Sequence, residues 1–585
     1  MNRDLRRFFQ LLRPHRAAYA AGAVALVLAD GGQLVIAYLI GEAIDALAAG
    51  TATPSIVATY AVGVMACATV VAVSRYFWRV LIFGSARVVE RELRQRLFEH
   101  LQTLPAGFFM RRKVGELMAH GTNDIAAVEL AASLGVLAGL DAVIQFGGAS
   151  AMMVGTVDTR LAVLTLLPLV ALTPGTYWLG RRLHAAYGHV QAAFARLSDT
   201  VQESVEGVRV IKGFAREGGE QARFETANQE YRRTFGRMLR YDVAFDPMIN
   251  LLAGLAFAVG LGYGGLLVTD GTITLGRYVA FNTYLAMLVW PMLALGWVTN
   301  LLQRAAASMA RLDALLDTVP SVSDAPDARP LEHPRGEVLL RGLTFRFAPD
   351  MPPALADVDA TLAPGTTLGV LGRTGSGKST LGQLLVRIFD PPRGTVFLDG
   401  HDVTTLRLDD LRRAVAYVPQ DAFLFSRTLA ENIALDPRPY TREQVAAAAR
   451  LADLERDVHA LPAGYDTVVG ERGVTLSGGQ RQRVSLARAL LRDAPVLVLD
   501  DCLSAVDSAT EARILSALRR YTRRRTTIII GHRVSAVRHA DEIVVLAEGR
   551  VVERGDHATL LAAGGEYARL HSRAQLELSL EDAAP

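Results

Sequence analysis

The residues best suited to chemistry in this chain lie in the run Gly372-Arg373-Thr374-Gly375-Ser376-Gly377-Lys378-Ser379-Thr380. The run fits G-x-x-x-x-G-K-[ST], a loop whose glycines let backbone N–H groups curl around phosphate. A strand-like segment, Thr367-Leu368-Gly369-Val370-Leu371, precedes it and a helix-like segment from Leu381 to Val386 follows. The helix start then adds its partial positive charge. In that setting Lys378 reaches the β- and γ-phosphates and the Ser379 hydroxyl ligates Mg²⁺. Lysine usage supports the reading. The chain has three lysines among 62 basic residues, Lys113, Lys212 and Lys378. A sequence that writes arginine nearly everywhere keeps lysine where a compact ammonium suits phosphate.

Two further motifs complete the chemistry. Val496-Leu497-Val498-Leu499-Asp500 reads as a buried strand ending in a carboxylate, the element in which an Asp holds Mg²⁺. Leu476-Ser477-Gly478-Gly479-Gln480 stands ahead of a helical run, Arg481–Leu491, and is a second anion-binding helix start. One domain does not need two such sites for one nucleotide. The second site therefore reads as serving a nucleotide bound to another subunit.

These motifs must be positioned by a larger frame. From Gly336 onward strand-like and helix-like runs alternate, the pattern of an α/β domain with a central sheet. The half before it is different. Apolar residues make up 51% of the 585 residues and mean hydropathy is +0.23, high for a soluble protein. Six apolar runs are long enough to cross about 30 Å of hydrocarbon: Ala17–Ile40, Ile56–Phe83, Leu130–Val157, Leu161–Leu179, Met248–Val268 and Val279–Leu302. Met1–Arg16 is arginine-rich and reads as an elbow segment rather than a cleavable signal. The net charge of +3 is too small to argue for nucleic acid, and Cys67 and Cys502 offer no disulfide framework.

Arginine distribution gives the expected topology. The connection Gly41–Ser55 has no Lys or Arg, whereas Met1–Arg16, Ser85–Glu129 and Gly180–Pro247 are rich in them. Positive charge marks the cytoplasmic side, so both termini and both long connections are expected there. The helical periodicity of Ala86–Leu104 and Arg181–Gly207 predicts membrane helices extended about 35–40 Å into the cytoplasm. Each hairpin is expected to turn through a short element, the first at Val114–His120 with Glu116, the second near Val208–Glu217 with Ile211 and Phe214 at a docking tip. Asp30 and Asp141 interrupt apolar runs, and at bilayer depth a carboxylate needs a wet or paired site. Two readings stand: cavity acids that pair with a cationic substrate, or interhelical hydrogen-bonding groups. A proline-rich linker is expected at Arg311–Arg335.

With these motifs on the page, the chain resembles ATP-binding-cassette exporters of the half-transporter type, over nearly its whole length. The resemblance implies a multidomain membrane protein: a six-helix all-α transmembrane domain of the type I exporter (type IV) fold with long intracellular helices, then an α/β P-loop ATPase domain. The divisions expected are an elbow at 1–16, a membrane domain at 17–310, a linker at 311–335, an ATPase domain at 336–575 and a tail at 576–585. It further implies ATP and Mg²⁺ as ligands. Gly372, Thr374, Gly375, Ser376, Gly377, Lys378, Ser379 and Thr380 would hold the nucleotide, and Ser379, Gln420 and Asp500 the metal. Ser477, Gly478, Gly479 and Gln480 match the family signature that acts on a partner's ATP. Ser504 to Asp507 match the loop that crosses the dimer interface, and His532 the histidine near the γ-phosphate. Phe347 occupies the adenine-stacking position, where the family more often has Tyr. Thr467–Gly473, with Glu471, looks like the exporter loop that touches the coupling helices.

One position departs from the family. Asp501 follows Asp500, where active members carry Glu as the general base for water. Asp is one methylene shorter, so its oxygen falls about 1–1.5 Å short, and a misplacement of about 1 Å costs about 10²-fold in rate. An Asp there beside an intact signature resembles one subunit of heterodimeric bacterial multidrug exporters. It implies a nonidentical partner carrying the Glu, small amphipathic substrates and a place in the cell membrane. A homodimer with a slow Asp base, a lipid flippase, and a membrane ATP sensor that moves nothing remain as alternatives. The lack of an added amino-terminal domain argues only against a processing peptide exporter.

Overall fold

The computed structural model describes residues 3–470 and 474–582 and divides into two units, 1–101 with 114–318, and 102–113 with 319–585. In the first unit, six helices long and apolar enough to span a membrane lie among the described residues: Arg6–Ala48, Pro54–Thr103, Val114–Thr156, Thr159–Glu206, Glu217–Thr269 and Leu275–Leu316. Five contain one of the six apolar runs whole, and Val114–Thr156 contains the remaining one but for its last residue, Val157. The helical extensions expected from periodicity are present, since Pro54–Thr103 and Leu172–Glu206 continue without a break past the apolar stretch.

Local chemistry sets the helix ends. Asp158 caps the fourth span by accepting the Leu161 N–H at 2.7 Å. Pro168 inside it ends the helix Thr159–Val170, and a new one starts at Leu172. Glycines let helices touch. A Cβ on Gly41 would lie 2.7 Å from the Gly276 carbonyl oxygen, so the first and sixth spans meet backbone to backbone. Asp45 fastens the same crossing by accepting the Gly276 N–H at 2.6 Å. The unit's core gathers Leu161, Leu169, Phe281, Tyr284 and Met292. Outside the apolar stretches, buried His120 and Asp124 sit 2.7 Å apart, and Arg311 Nε donates to Asp124 at 3.1 Å.

Two expectations are corrected here. The first hairpin's short element is the helix Ala106–Met110, whereas Val114–Ala119 opens the third long helix. Pro105 supplies the break, and Gly115 and Gly121 do not interrupt the helix around them. The linker starts later than Arg311: the helix runs to Leu316 because Arg311 is held by Asp124 and Ser308.

The second unit holds two main sheets. One is four-stranded and antiparallel, in the order Leu355–Leu362, Val338–Phe345, Val396–Leu398, His401–Asp402. The other is six-stranded, in the order Arg550–Gly555, Glu542–Ala547, Thr367–Gly372, Thr526–Gly531, Val496–Asp500, Val415–Val418, parallel except at its first edge. The near-continuous apolar runs of Val496–Asp500 and Thr526–Gly531 are those of strands covered on both faces. The strand Thr367–Gly372 lies inside this sheet, so the loop after it opens at a carboxyl end, where α/β sheets bind ligands. A second core, with Leu424, Leu429, Val445, Val484 and Leu490, carries the helix Gly478–Leu491. The last helix, Glu566–Asp582, runs across the expected boundary at 575.

Candidate functional site

The phosphate loop is shaped by glycines that no other residue could replace. Gly375 and Gly377 have φ of +84° and +94°, a region that side chains avoid. A Cβ on Gly377 would sit 2.2 Å from the Ala354 carbonyl oxygen, and one on Gly372 would sit 2.3 Å from that of Leu546. The helix Lys378–Leu385 starts directly after Gly377. Lys378 Nζ donates to the Gly372 and Arg373 carbonyls, both at 2.8 Å, arched over its own loop. Burial pulls the lysine below its ordinary range, against the charges of Asp501 and Asp500. Ser376 Oγ is buried without a hydrogen-bond partner, a donor the loop itself does not use.

Asp500 meets Ser379 across the sheet. Ser379 Oγ donates to Asp500 Oδ1 at 2.8 Å, and Tyr417 Oη donates to Oδ2 at 2.9 Å. Burial pushes the Asp500 carboxyl up, and the hydrogen bonds from Ser379 and Tyr417 offset only part of it. Tyr417 is pushed well above the usual phenol range, by burial first and then by the Asp500 charge. Among the described residues no three or more His, Cys, Asp or Glu gather for a metal. One carboxylate with one hydroxyl fits Mg²⁺, which takes few protein ligands and completes its shell with water and phosphate oxygens. The side chains present therefore fit the ion, with Ser379 and Asp500 together and Gln420 exposed on the loop after Val415–Val418.

Asp501 adopts a left-handed backbone, φ +45°, which Asp tolerates better than most residues. Its amide donates to the Ile530 carbonyl at 2.9 Å. Both carboxylate oxygens lie 3.0 Å from His532 Nδ1. Behind the pair, buried Glu511 accepts from Arg533 Nη1 at 3.1 Å and from Ser535 Oγ at 2.8 Å.

The signature is a built helix start. Ser477 Oγ accepts the Gln480 N–H at 3.2 Å, and Gln480 Oε1 accepts the Ser477 N–H at 2.8 Å, a capping box that opens Gly478–Leu491. Gly479 must lack a side chain, because a Cβ would lie 2.7 Å from the Ala505 carbonyl oxygen. Buried Gln482 then ties three motifs together. Its Nε2 donates to Ser504 Oγ at 3.0 Å and to the Gln420 carbonyl at 3.5 Å, and its Oε1 accepts the Ala505 N–H at 3.0 Å. Asp507 caps the following helix by accepting the Thr510 N–H at 2.9 Å. That bond holds its carboxyl below the ordinary range.

Sequence reasoning missed Gln482 and Glu511. For Gln482 a signal existed, since Ser485 and Leu486, three and four residues on, are buried on the same helical face. Phe347 is partly exposed and stands edge to face with Phe345 and Phe389, ring centroids 5.1 Å apart in each case. The short helix Ala106–Met110 belongs to the same unit: Arg111 donates to the Phe347 carbonyl at 3.3 Å, and a Cβ on Gly107 would lie 3.1 Å from the Phe389 ring.

The remaining expected residues are dispersed. Phe214 is 76% exposed beyond the short helix Val208–Gly213, with Ile211 half-buried in it. Glu116 is an exposed residue in the first turn of the third long helix, and Glu471 lies outside the described residues. Asp30 is buried, accepts from Gln145 Nε2 at 3.4 Å through one oxygen, and has no partner for the other. Asp141 has Trp290 as its hydrogen-bonding neighbour, and the charge of Arg75 acts on both acids.

The ABC transporter transmembrane region family matches residues 19–292, and the ABC transporter family matches residues 355–504. The chain is 38% identical over 547 residues to the probable multidrug resistance ABC transporter ATP-binding/permease protein YheI of Bacillus subtilis, covering 93% of each. It is 39% identical over 563 residues to the multidrug resistance-like ATP-binding protein MdlA of Escherichia coli, covering 96% of this chain and 95% of that one. It is also 32% identical over 572 residues to the ATP-dependent lipid A-core flippase of Syntrophus aciditrophicus, covering 97% and 94%. The solved structure of a bacterial Atm1-family ABC exporter with ATP bound superposes with a TM-score of 0.77 at 29% identity, over 96% of this chain and 98% of that one. The chain thus belongs to the ABC transporter family, as an exporter half-transporter in which one multi-pass membrane region and one transport-coupled ATPase domain share a polypeptide.

Proposed function

We propose that this chain is one half of an ATP-driven exporter of hydrophobic or amphipathic compounds, paired with a nonidentical half-transporter. Its own nucleotide site turns over slowly. The observation that carries this reading is Asp501, one methylene shorter than Glu and engaged through both oxygens by His532.

Lys378 and the loop amides bind the phosphates of ATP, Ser376 supplies a further donor, and the Phe347 ring stacks on adenine. Ser379, Asp500 and Gln420 hold Mg²⁺, which would supply charge neutralisation at the phosphates. Asp501 orients water poorly, and general-base assistance of this kind is worth about 10²–10⁴-fold. The signature of this chain, rigid at Ser477 and Gly479, completes the partner's site, where most hydrolysis takes place. Cassette closure reaches the membrane helices through the short helices 106–110 and 208–213, with Phe214 as a docking side chain. Glu116 is proposed for the same relay, and Glu471, which lies outside the described residues, on its sequence alone. The ATPase domain and both long hairpins face the cytoplasm of a cell membrane, on the arginine distribution.

Asp30 and Asp141 are proposed to attract cationic substrates. Asp30 keeps one oxygen unpartnered, as a substrate-binding acid would. A lipid amphiphile is a second reading of the cargo, favoured by the likeness to a named lipid A-core flippase. The pairing is tested by purifying the chain alone and together with any half-transporter that co-purifies, then measuring ATP hydrolysis. Fast turnover only in the mixed assembly supports the reading, and fast turnover by the chain alone removes it.

A further inference from the structure

The elbow helix Arg3–Leu12 has two different faces. One is pinned to the protein: Phe8 is fully buried, and Arg7 Nη1 lies 2.9 Å from Asp313 and 3.3 Å from Asp317. The other carries Arg6, Phe9 and Gln10, spaced three and four residues apart and so neighbours on the helix, with Arg13 opening the 3-10 turn Arg13–His15 that follows. This face borders an open cavity of about 540 Å³, the size class of small-ligand sites.

The lining joins two chemistries. Arg6, Arg13 and Arg16 bring three guanidinium groups to it, all exposed. Among the described residues none of the three has a carboxylate within ion-pair distance, in contrast to Arg7 between them. Phe9, Leu12, Tyr19 and Val136 bring apolar surface to the same cavity. Tyr19 is fixed there, since its hydroxyl donates to the Ala132 carbonyl at 3.1 Å. The cavity therefore spans the elbow, the start of the first membrane helix and the third long helix. On the proposed topology, with the arginine-rich elbow at the cytoplasmic end of the first apolar run, this is the level of the bilayer surface, where amphipathic helices lie and anionic head groups concentrate.

From this arrangement we infer that the cavity binds the phosphate of an anionic phospholipid, with an acyl chain along the apolar wall. Guanidinium groups grip phosphate oxygens in pairs, which an ammonium does not. A free phosphate shares the head-group chemistry but leaves Phe9, Leu12 and Val136 without an occupant, so the membrane is the source.

Native mass spectrometry of the full chain in detergent tests this, with phosphatidylglycerol and phosphatidylcholine supplied in equal amounts. The chain should retain one phosphatidylglycerol in preference to phosphatidylcholine. The variant Arg6→Gln/Arg13→Gln/Arg16→Gln should lose that preference by about tenfold, the scale of one lost charge-assisted hydrogen bond or more. A charge-matched control, Arg232→Gln/Arg233→Gln/Arg237→Gln on an exposed cytoplasmic-extension face, should keep it. Arg13→Lys, which keeps the charge and the fold but not the fork, should weaken it, and so reports even if the triple variant misfolds. A millimolar excess of inorganic phosphate should not release the lipid. Equal retention by the chain and its triple variant, loss in the control, no effect of Arg13→Lys, or release by inorganic phosphate would each overturn the inference.

Discussion

Asp501 and His532 face each other directly, with Nδ1 of the imidazole 3.0 Å from each carboxylate oxygen. The Asp501 backbone is fixed at the end of a strand, its N–H donating to the Ile530 carbonyl and its φ in the left-handed region. A residue so placed can reach only as far as its side chain extends. The slow turnover proposed for this site would therefore come from side-chain length rather than from charge.

The adenine stacking proposed for Phe347 would need the ring face and not a hydroxyl. Phe347→Tyr should leave ATP affinity within about twofold, whereas Phe347→Ala should weaken it by about 1–3 kcal/mol, the range for base–aromatic stacking. Equilibrium binding of a fluorescent ATP analogue measures both. Equal affinities for the Ala and Tyr variants would place adenine elsewhere.

Lys378 gives the free site a pH dependence. Burial favours the neutral amine, so the proton leaves below the ordinary lysine range near pH 10.4. Phosphate binding requires the ammonium. Affinity should be flat at neutral pH and fall as the pH rises through the lowered value, before an unperturbed lysine would titrate. Lys378→Arg, weaker at pH 7 for want of the right shape, should show no such alkaline fall. The same binding assay, run across alkaline pH, checks this.

Gln482 is predicted to hold the signature helix to the interface loop. Gln482→Ala would remove the protein partner of the Ala505 N–H and the Ser504 hydroxyl, a loss of about 1 kcal/mol of stability. Thermal unfolding reads the loss. In a mixed assembly the same variant should slow hydrolysis at the partner's site more than it weakens ATP binding at this chain's own.

Much of this was legible in the sequence because the signals were long or chemically narrow. A membrane crossing needs a long apolar run, and each of the six runs coincides with a spanning helix to within one residue. The phosphate loop needs glycine where φ is positive, at Gly375 and Gly377. The misses have a common cause in tertiary contact. Val114–His120 reads as the first hairpin's short element, yet the third long helix opens there, while Pro105 sets the break before the short helix Ala106–Met110. Arg311 read as linker, yet Asp124, distant in sequence, keeps it helical. Gln482 and Glu511 drew no reading from the sequence, because their importance lies in partners distant along the chain, Ser504 and Ala505 for the one and Arg533 and Ser535 for the other.

Asp30 and Asp141 offer a test of substrate charge. Asp30→Asn and Asp141→Asn should each reduce transport of a cationic dye in vesicles several-fold and leave a neutral amphiphile unaffected, since only the charged cargo gains from the carboxylate. Equal effects on both substrates would assign the two acids to helix packing.

The central claim is decided by the ATPase rate of the purified chain on its own. Slow turnover is predicted, little changed by Asp501→Asn and raised about tenfold or more by Asp501→Glu, which restores the missing reach even against a left-handed backbone strain of about 1–2 kcal/mol. Rapid hydrolysis by the unpaired chain, abolished by Asp501→Asn, would contradict it.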